Sequence, residues 1–159
     1  MSTSRQVFSP AQRELLDSVL DRLIPPQDNR PGAGSLGIGD FVESVAVGEP
    51  GLIRLFMQGL AAIEIAAAER DPLSSSKGGF AALSNDAKDD ALRSVEASHA
   101  DFFDQLVLQV YNGYYTNLTV FESIGYNLPS PPVPGAKLEL LDETLLEAQR
   151  QRPPFWTRV

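Results

Sequence analysis

The chain has 159 residues, of which 43% are hydrophobic, with no cysteine and a formal net charge of −8. This length and apolar content are typical of one globular domain, and the lack of cysteine excludes disulfides, thiolate catalysis and thiolate metal sites. The acidic balance disfavours phosphate backbones and anionic membrane surfaces, and no uninterrupted apolar run approaches the ~20 residues that span a bilayer. We therefore expect neither nucleic-acid binding nor membrane insertion.

The first half of the chain carries clear helix signals. Residues 9–12, Ser-Pro-Ala-Gln, combine a capping serine, a proline suited to the first helical position and a glutamine that completes a capping box. An apolar stripe continues this helix until the prolines at 25–26, which open a loop rich in proline and glycine over 25–37. A short helix is predicted over 39–47, and a longer, alanine-rich helix begins at Pro50.

Three further helices are predicted in the second half. A surface loop rich in serine and glycine over 71–79 separates them from the first three helices. The first is predicted over 84–97 behind a serine cap, and the second over 99–112, where aromatic and aliphatic residues form one stripe. The third covers 117–124 and ends at Gly125, a left-handed C-cap. The sequence therefore predicts an all-α domain of about five or six helices packed on one core.

The composition changes after residue 127. Residues 128–135, Leu-Pro-Ser-Pro-Pro-Val-Pro-Gly, are predicted to form an extended arm because proline is incompatible with a helix interior. Residues 138–149 are compatible with one more short helix, and the segment 150–159 is basic and aromatic. We therefore divide the chain into a helical domain over 1–127 and a C-terminal part over 128–159.

Residues suited to catalysis are few. Glu96 and His99 have the Glu-x-x-His spacing of di-iron carboxylate bundles, but the second such pair is missing, and a polar histidine near a helix start is the commoner explanation. Asp101 and Asp104 could form an acid–base pair, although acids three residues apart on a solvated helix face are far commoner. The glycine-rich segment 32–37 resembles a dinucleotide loop but follows no predicted strand. We predict no catalytic, cofactor-binding or metal-ligating residues on this chain.

Aromatic residues at two places are candidates for binding a partner. The segment 102–126 holds all four tyrosines, which either complete the core and tie a turn by hydrogen bonds or face another protein. The aromatic pair at 155–156 either folds back on the core or anchors the tail in another subunit. The second option is favoured because an extended proline-rich arm loses little entropy on docking. The predicted partner-contact residues are Tyr114, Tyr115, Tyr126, Phe155 and Trp156.

An ordered set of short motifs runs from about residue 8 to residue 126. The motifs are, in chain order, a helix ending in Leu-Ile-Pro at 23–25, Pro31-Gly32-Ala33, Phe80 with Leu83 before a capped helix, Phe102-Phe103, Gly113-Tyr114-Tyr115-Thr116 and Gly125-Tyr126. Each motif alone is weak, but together and in this order they resemble the gluconate 2-dehydrogenase subunit 3 family. The tail beyond residue 127 does not map onto the family.

The resemblance implies a function as well as a fold. Proteins of this family are small, helical, non-catalytic subunits of flavin-dependent dehydrogenases. Their large partners resemble the glucose-methanol-choline oxidoreductases, which hold FAD and oxidise sugars or sugar acids. The chain would then have no cofactor of its own and would stabilise or mature the FAD-containing subunit in a heterodimer, with a cytochrome subunit as a possible further partner. Two alternatives stay open: a helical adaptor or chaperone for an unrelated protein, and, less favoured, a stand-alone metal-dependent helical enzyme.

The chain departs from the family pattern at two places. Family members often begin with a twin-arginine export signal, whereas this N-terminus has only Arg5 and no apolar stretch behind it. A cytoplasmic location is therefore expected, with the periplasm as the alternative if a partner carries the signal or a signal has been removed. Family members also often have a glycine soon after Gly-Tyr, whereas Asn127 follows here, so the turn is expected to differ.

Overall fold

The computed structural model describes residues 6–28, 30–126, 147 and 150–152. All the numbered helices lie in the first of the two compact units into which the chain divides, Met1–Asn127 and Leu128–Val159. The helices are α1 (Pro10–Leu23), α2 (Ile38–Gly48), α3 (Pro50–Arg70), α4 (Ser74–Lys77), a 3₁₀ helix (Gly79–Ala82), α5 (Asn85–Ser98), α6 (Ala100–Tyr115) and α7 (Leu118–Ser123). Between residues 6 and 126, β pairing among the described residues is limited to one isolated bridge between Gln27 and Arg30. The all-α prediction is confirmed.

Local sequence signals set several of the helix starts. At the start of α1, the Ser9 hydroxyl accepts a hydrogen bond from the Gln12 N–H at 3.2 Å, and the Gln12 side chain accepts one from the Ser9 N–H at 2.9 Å. This is the predicted capping box, which satisfies two otherwise unpaired backbone donors. Ser84 caps α5 by accepting from the Ala87 N–H at 3.3 Å. Between residues 6 and 126 the count of α-helices reaches seven because Ser74–Lys77, predicted as a loop, forms one short helical turn.

Helix α3 lies at the centre of the fold and packs against α1, α2, α5 and α6. Its inward face buries Phe56, Leu60 and Ile63. The Phe56 ring contacts the Phe8 ring at 6.3 Å between centroids, and the Phe102 ring edge-on at 5.7 Å. Burying each large apolar side chain of this kind stabilises the fold by about 1.5–3 kcal/mol. The core is therefore built around one helix that the others surround.

Among the described residues, α3 alone is long and apolar enough to cross a membrane, judged by length and composition. The core helix of a globular protein meets the same criteria, and α3 buries Phe56, Leu60, Ile63 and Ala67 against its neighbours. Its outward face carries Arg54 and Glu64, which interrupt the apolar sequence. The central position of α3 accounts for the apolar residues that it buries, which make up 33% of the candidate span, and the absence of membrane insertion stays a prediction.

A buried carboxylate fixes the segment that precedes α1. Glu43 of α2 is buried and accepts hydrogen bonds from the N–H groups of Val7 and Phe8, at 2.6 and 2.9 Å. The Arg13 guanidinium lies 2.8 Å from its second oxygen. Burial raises the pKa of Glu43, but the hydrogen bonds from Phe8, Val7 and Arg13 together outweigh burial and hold that pKa below its usual value. Glu43 is therefore a structural anion that holds Phe8 against the core.

Candidate partner-binding surface

Helix α6 continues through the aromatic segment and ends at Tyr115, not at residue 112 as predicted. The reason is Gly113, which is buried where α6 crosses α2. A β-carbon at this position would lie 2.7 Å from Cδ1 of Phe41 and 2.9 Å from Cγ2 of Ile38, closer than real β-carbons approach other atoms. Gly113 therefore serves close helix packing and does not make a turn, which extends α6 by almost one helical turn.

This extension separates Tyr114 from the surface. Tyr114 is 2% exposed, and its hydroxyl donates a hydrogen bond to the backbone carbonyl of Pro31 at 3.0 Å. The hydrogen bond ties the end of α6 to the loop between α1 and α2, and it satisfies the polar tip of an otherwise buried ring. In the free chain Tyr114 is thus a core residue, as in the other interpretation of the tyrosines, and its role as a partner contact stays a prediction.

Tyr115 and Tyr111 lie on the outer side of the same helix. Tyr115 is 44% exposed and Tyr111 is 47% exposed. Their rings are stacked with centroids 5.7 Å apart and an angle of 20° between planes, and the Tyr114 ring meets Tyr115 edge-on at 5.3 Å. Contacts on two sides restrict the Tyr115 ring, so little side-chain entropy remains to be lost when a partner covers it.

Tyr126 is held at the surface by the turn that ends α7. Gly125 adopts the left-handed conformation with φ of 71°, as predicted. The Tyr126 N–H donates to the Phe121 carbonyl at 2.9 Å and the Gly125 N–H to the Glu122 carbonyl at 3.1 Å, which is a Schellman motif. The Tyr126 and Phe121 rings pack at 5.1 Å between centroids, yet Tyr126 stays 53% exposed.

The sequence interpretation, which considered only aromatic residues, missed three exposed aliphatic side chains in the same segment. Leu108 precedes Tyr111 by three residues, and Leu118 and Ile124 belong to α7 and its end. All three are about half exposed or more, Leu118 the most at 62%. Helical spacing could have identified Leu108, because residues three and seven positions apart share a helix face. We define the α6–α7 surface as the exposed side chains of Leu108, Tyr111, Tyr115, Leu118, Ile124 and Tyr126.

His99, Asp101 and Asp104, which were considered for catalysis, line different grooves. Among the described residues, no group of three or more histidine or acidic side chains could hold a metal ion. The Ser98 hydroxyl lies 2.9 Å from His99 Nδ1 and also within hydrogen-bond distance of the Ser94 carbonyl, at 2.8 Å. His99 lines a shallow groove between α3 and α5, whereas Asp101 and Asp104 line a different one. His99 and the Asp101–Asp104 pair therefore do not line a common groove.

The glycine-rich segment 32–37 serves packing between α1 and α2. A β-carbon on Gly34 would lie 2.0 Å from the Asp17 carbonyl oxygen, so the loop lies directly against the α1 backbone. The Asp21 carboxylate accepts hydrogen bonds from the Ser35 N–H and hydroxyl, both at 3.0 Å. Three carboxylates, those of Asp17, Asp21 and Asp40, lie near one another at this loop. Burial is the largest cause that raises the pKa of Asp17, and the negative charges of Asp40 and Asp21 raise it further. The negative charge of these carboxylates repels the pyrophosphate group of a dinucleotide.

Comparison with known proteins places the chain in a family. The sequence matches the family model of gluconate 2-dehydrogenase subunit 3 over residues 10–131. The chain belongs to the gluconate 2-dehydrogenase subunit 3 family. No curated protein and no solved structure gives a significant match. The match extends from the first residue of α1 to beyond α7, and so it includes the whole α6–α7 surface of this subunit 3 protein.

Family membership confirms the resemblance drawn from the sequence motifs. Several motif residues prove to be structural: Phe80 and Leu83 are buried in the core, and Tyr114 reaches the motif at Pro31 through its hydroxyl. The family is described as a subunit of gluconate 2-dehydrogenase, which implies a multi-subunit complex, and the partners of this chain stay a prediction. Phe155 and Trp156 lie outside the described residues, and their role as partner contacts stays a prediction, as does that of Tyr114, Tyr115 and Tyr126.

Proposed function

We propose that this chain is the non-catalytic accessory subunit of an FAD-dependent sugar or glycoside dehydrogenase. The large subunit, of the glucose-methanol-choline type, holds the FAD and the catalytic acid–base groups. The small subunit binds and stabilises, or helps to mature, that flavoprotein. The observation that carries the proposal is the family match over residues 10–131, whose family is itself described as a subunit.

Two features of the described residues support this division of labour. His99, between α5 and α6, lines one groove, whereas Asp101 and Asp104 of α6 line another. In contrast, the C-terminal end of α6 and the whole of α7 expose tyrosine and leucine side chains. Contact of these apolar groups with water is unfavourable, and a partner that covers them removes that contact. A chain with few groups for chemistry and a surface suited to contact fits an accessory role.

The stabilising effect follows from mass action. A subunit that binds only the folded flavoprotein raises the flavoprotein's unfolding free energy by about 2.7 kcal/mol when its free concentration is 100 times the dissociation constant. The large subunit expressed alone should therefore be less stable, and should be recovered in lower yield, than the same subunit expressed with this chain.

Recovery of the native complex tests the proposal. The full chain is tagged and purified from its own cells under mild conditions, and the eluate is examined by mass spectrometry and visible absorption. We expect a flavoprotein in equal amount and a flavin spectrum, with haem bands if a cytochrome joins. We also expect sugar-dependent dye reduction by the complex and none by the isolated chain. Turnover by the isolated chain, or recovery with a client that binds no flavin, would contradict the proposal.

A further inference from the structure

The outer face of α6 forms one continuous stripe of exposed side chains. Asp101, Asp104, Leu108, Tyr111 and Tyr115 follow each other at spacings of three or four residues, which places them on the same helix face. Asp101, Asp104 and the three apolar residues are all exposed. The stripe therefore begins with two carboxylates at the N-terminal end of α6 and becomes apolar and aromatic towards the C-terminal end.

The apolar part of this stripe lies in a segment without charge. Residues 105–121 contain no aspartate, glutamate, lysine, arginine or histidine, although 21% of the whole chain is charged. Burial does not explain this, because several positions in the segment are exposed, among them Asn112, Thr116 and Thr119. Exposed positions without charge and rich in tyrosine are the composition of the buried centre of a protein–protein interface.

The charges around this segment are mostly acidic. Within α2, α6 and α7 the exposed charged residues are all acids: Asp40, Asp101, Asp104 and Glu122. The Tyr114 hydroxyl binds the Pro31 carbonyl in the loop between α1 and α2. The basic residue next to Pro31 in the sequence is Arg30, whose guanidinium donates a hydrogen bond to Gln27 at 2.9 Å. A second copy of this chain, with its own net charge of −8, would bring a stripe of the same charge against this one. Self-association through the stripe is therefore disfavoured.

Resting on the proposed function, we infer that this α6 stripe, continued by α7, is the surface that docks on the catalytic subunit. The face it meets there is apolar opposite Leu108, Tyr111 and Tyr115. It carries lysine or arginine opposite Asp101 and Asp104. The tyrosines supply the buried contact, and the aspartates fix the orientation and speed the encounter, because charges at an interface rim act mainly on the association rate.

The test uses the complex of the full chain with its flavoprotein and two kinds of variant. The double variant Tyr111→Ala with Tyr115→Ala removes the aromatic contact, and its control, Ile65→Ala, removes an apolar side chain from α3 that is 62% exposed. We expect the dissociation constant to rise roughly 30-fold or more for the double variant and to stay unchanged for the control.

The second variant, Asp104→Lys, reverses the acidic end of the stripe, and Glu64→Lys reverses an exposed charge on α3. We expect Asp104→Lys to slow association by about five- to tenfold at low ionic strength, with the difference disappearing at high salt. Glu64→Lys should associate as the wild type does. Because these positions are exposed, each free variant should melt at the wild-type temperature.

The outcomes separate this inference from the function on which it rests. If the wild-type chain recovers its flavoprotein and both stripe variants bind it as tightly and as fast as the wild type, the docking surface lies elsewhere and the inference is overturned. Formation of a homodimer that the same variants disrupt would overturn it too. If the wild type recovers no flavoprotein, the proposed function itself fails.

Discussion

The ring of Phe102 lies directly over the α-carbon of Gly59, where α6 crosses α3. A β-carbon on residue 59 would lie 2.1 Å from Cγ of Phe102, and both residues are buried. The same ring packs almost at right angles to the Phe56 ring, with centroids 5.7 Å apart, so it contacts two positions on one face of α3. The close contact between these two helices therefore depends on the missing side chain of Gly59.

Replacing Gly59 by alanine should destabilise the fold. The added methyl group has no space unless the Phe102 ring moves, and forcing extra volume into a packed core costs about 1–3 kcal/mol. Gly51→Ala is the matched control in the same helix, because a β-carbon there meets no atom within 4 Å. It should leave the unfolding free energy unchanged or raise it by up to about 1 kcal/mol. Urea unfolding measures both, and equal stabilities for the two variants would refute the packing described.

Removing the Tyr114 hydroxyl should weaken the fold but not assembly. Tyr114→Phe leaves the Pro31 carbonyl without its donor, and we expect the unfolding free energy to fall by about 1 kcal/mol. Tyr115→Phe changes an exposed ring and should leave stability unaltered. Thermal unfolding distinguishes the two. A Tyr114→Phe chain as stable as the wild type but unable to bind its partner would restore the interface role that the sequence suggested.

We expect the Glu43 carboxylate to stabilise the fold at neutral pH and to lose this effect in acid. The pKa of Glu43 is lowered in the folded chain from its usual 4.5, so folding favours the carboxylate. The stabilisation is complete above the unfolded pKa and is lost as the pH falls through the lower folded pKa. Glu43→Gln should cost about 2–3 kcal/mol at pH 7, because the Arg13 charge loses its partner. The difference from the wild type should shrink below about pH 4.5, measured by urea unfolding across pH; a constant difference would exclude the ionised pair.

The aromatic tail should matter only for assembly. Phe155→Ala with Trp156→Ala removes two side chains of the type that dominates interface energies, and binding to the flavoprotein should weaken by roughly 2–4 kcal/mol. The melting temperature of the free subunit should barely move. Titration calorimetry and thermal unfolding of the same preparation measure the two quantities, and a large fall in melting temperature would assign the tail to the core.

Helix starts and fold class could be predicted from the sequence because they depend on neighbouring residues. The Ser9–Gln12 capping box, the proline that opens α3 and the Ser84 cap all satisfy or spare backbone donors within one helical turn. The Gly125 turn was predictable for the same reason, since only the local backbone decides whether a residue takes a positive φ.

The candidate surface was only partly predictable. Tyr114 and Tyr115 are adjacent in the sequence, yet one is buried and the other exposed, because the end of α6 depends on how Gly113 packs against Phe41 of a distant helix. Likewise, the pairing of Glu43 with the N–H groups of Val7 and Phe8 joins residues 36 and 35 positions apart. The chain by itself determined where helices form and which residues are amphipathic; the tertiary structure decided which side of each helix meets water, because that choice depends on contacts between helices far apart in sequence.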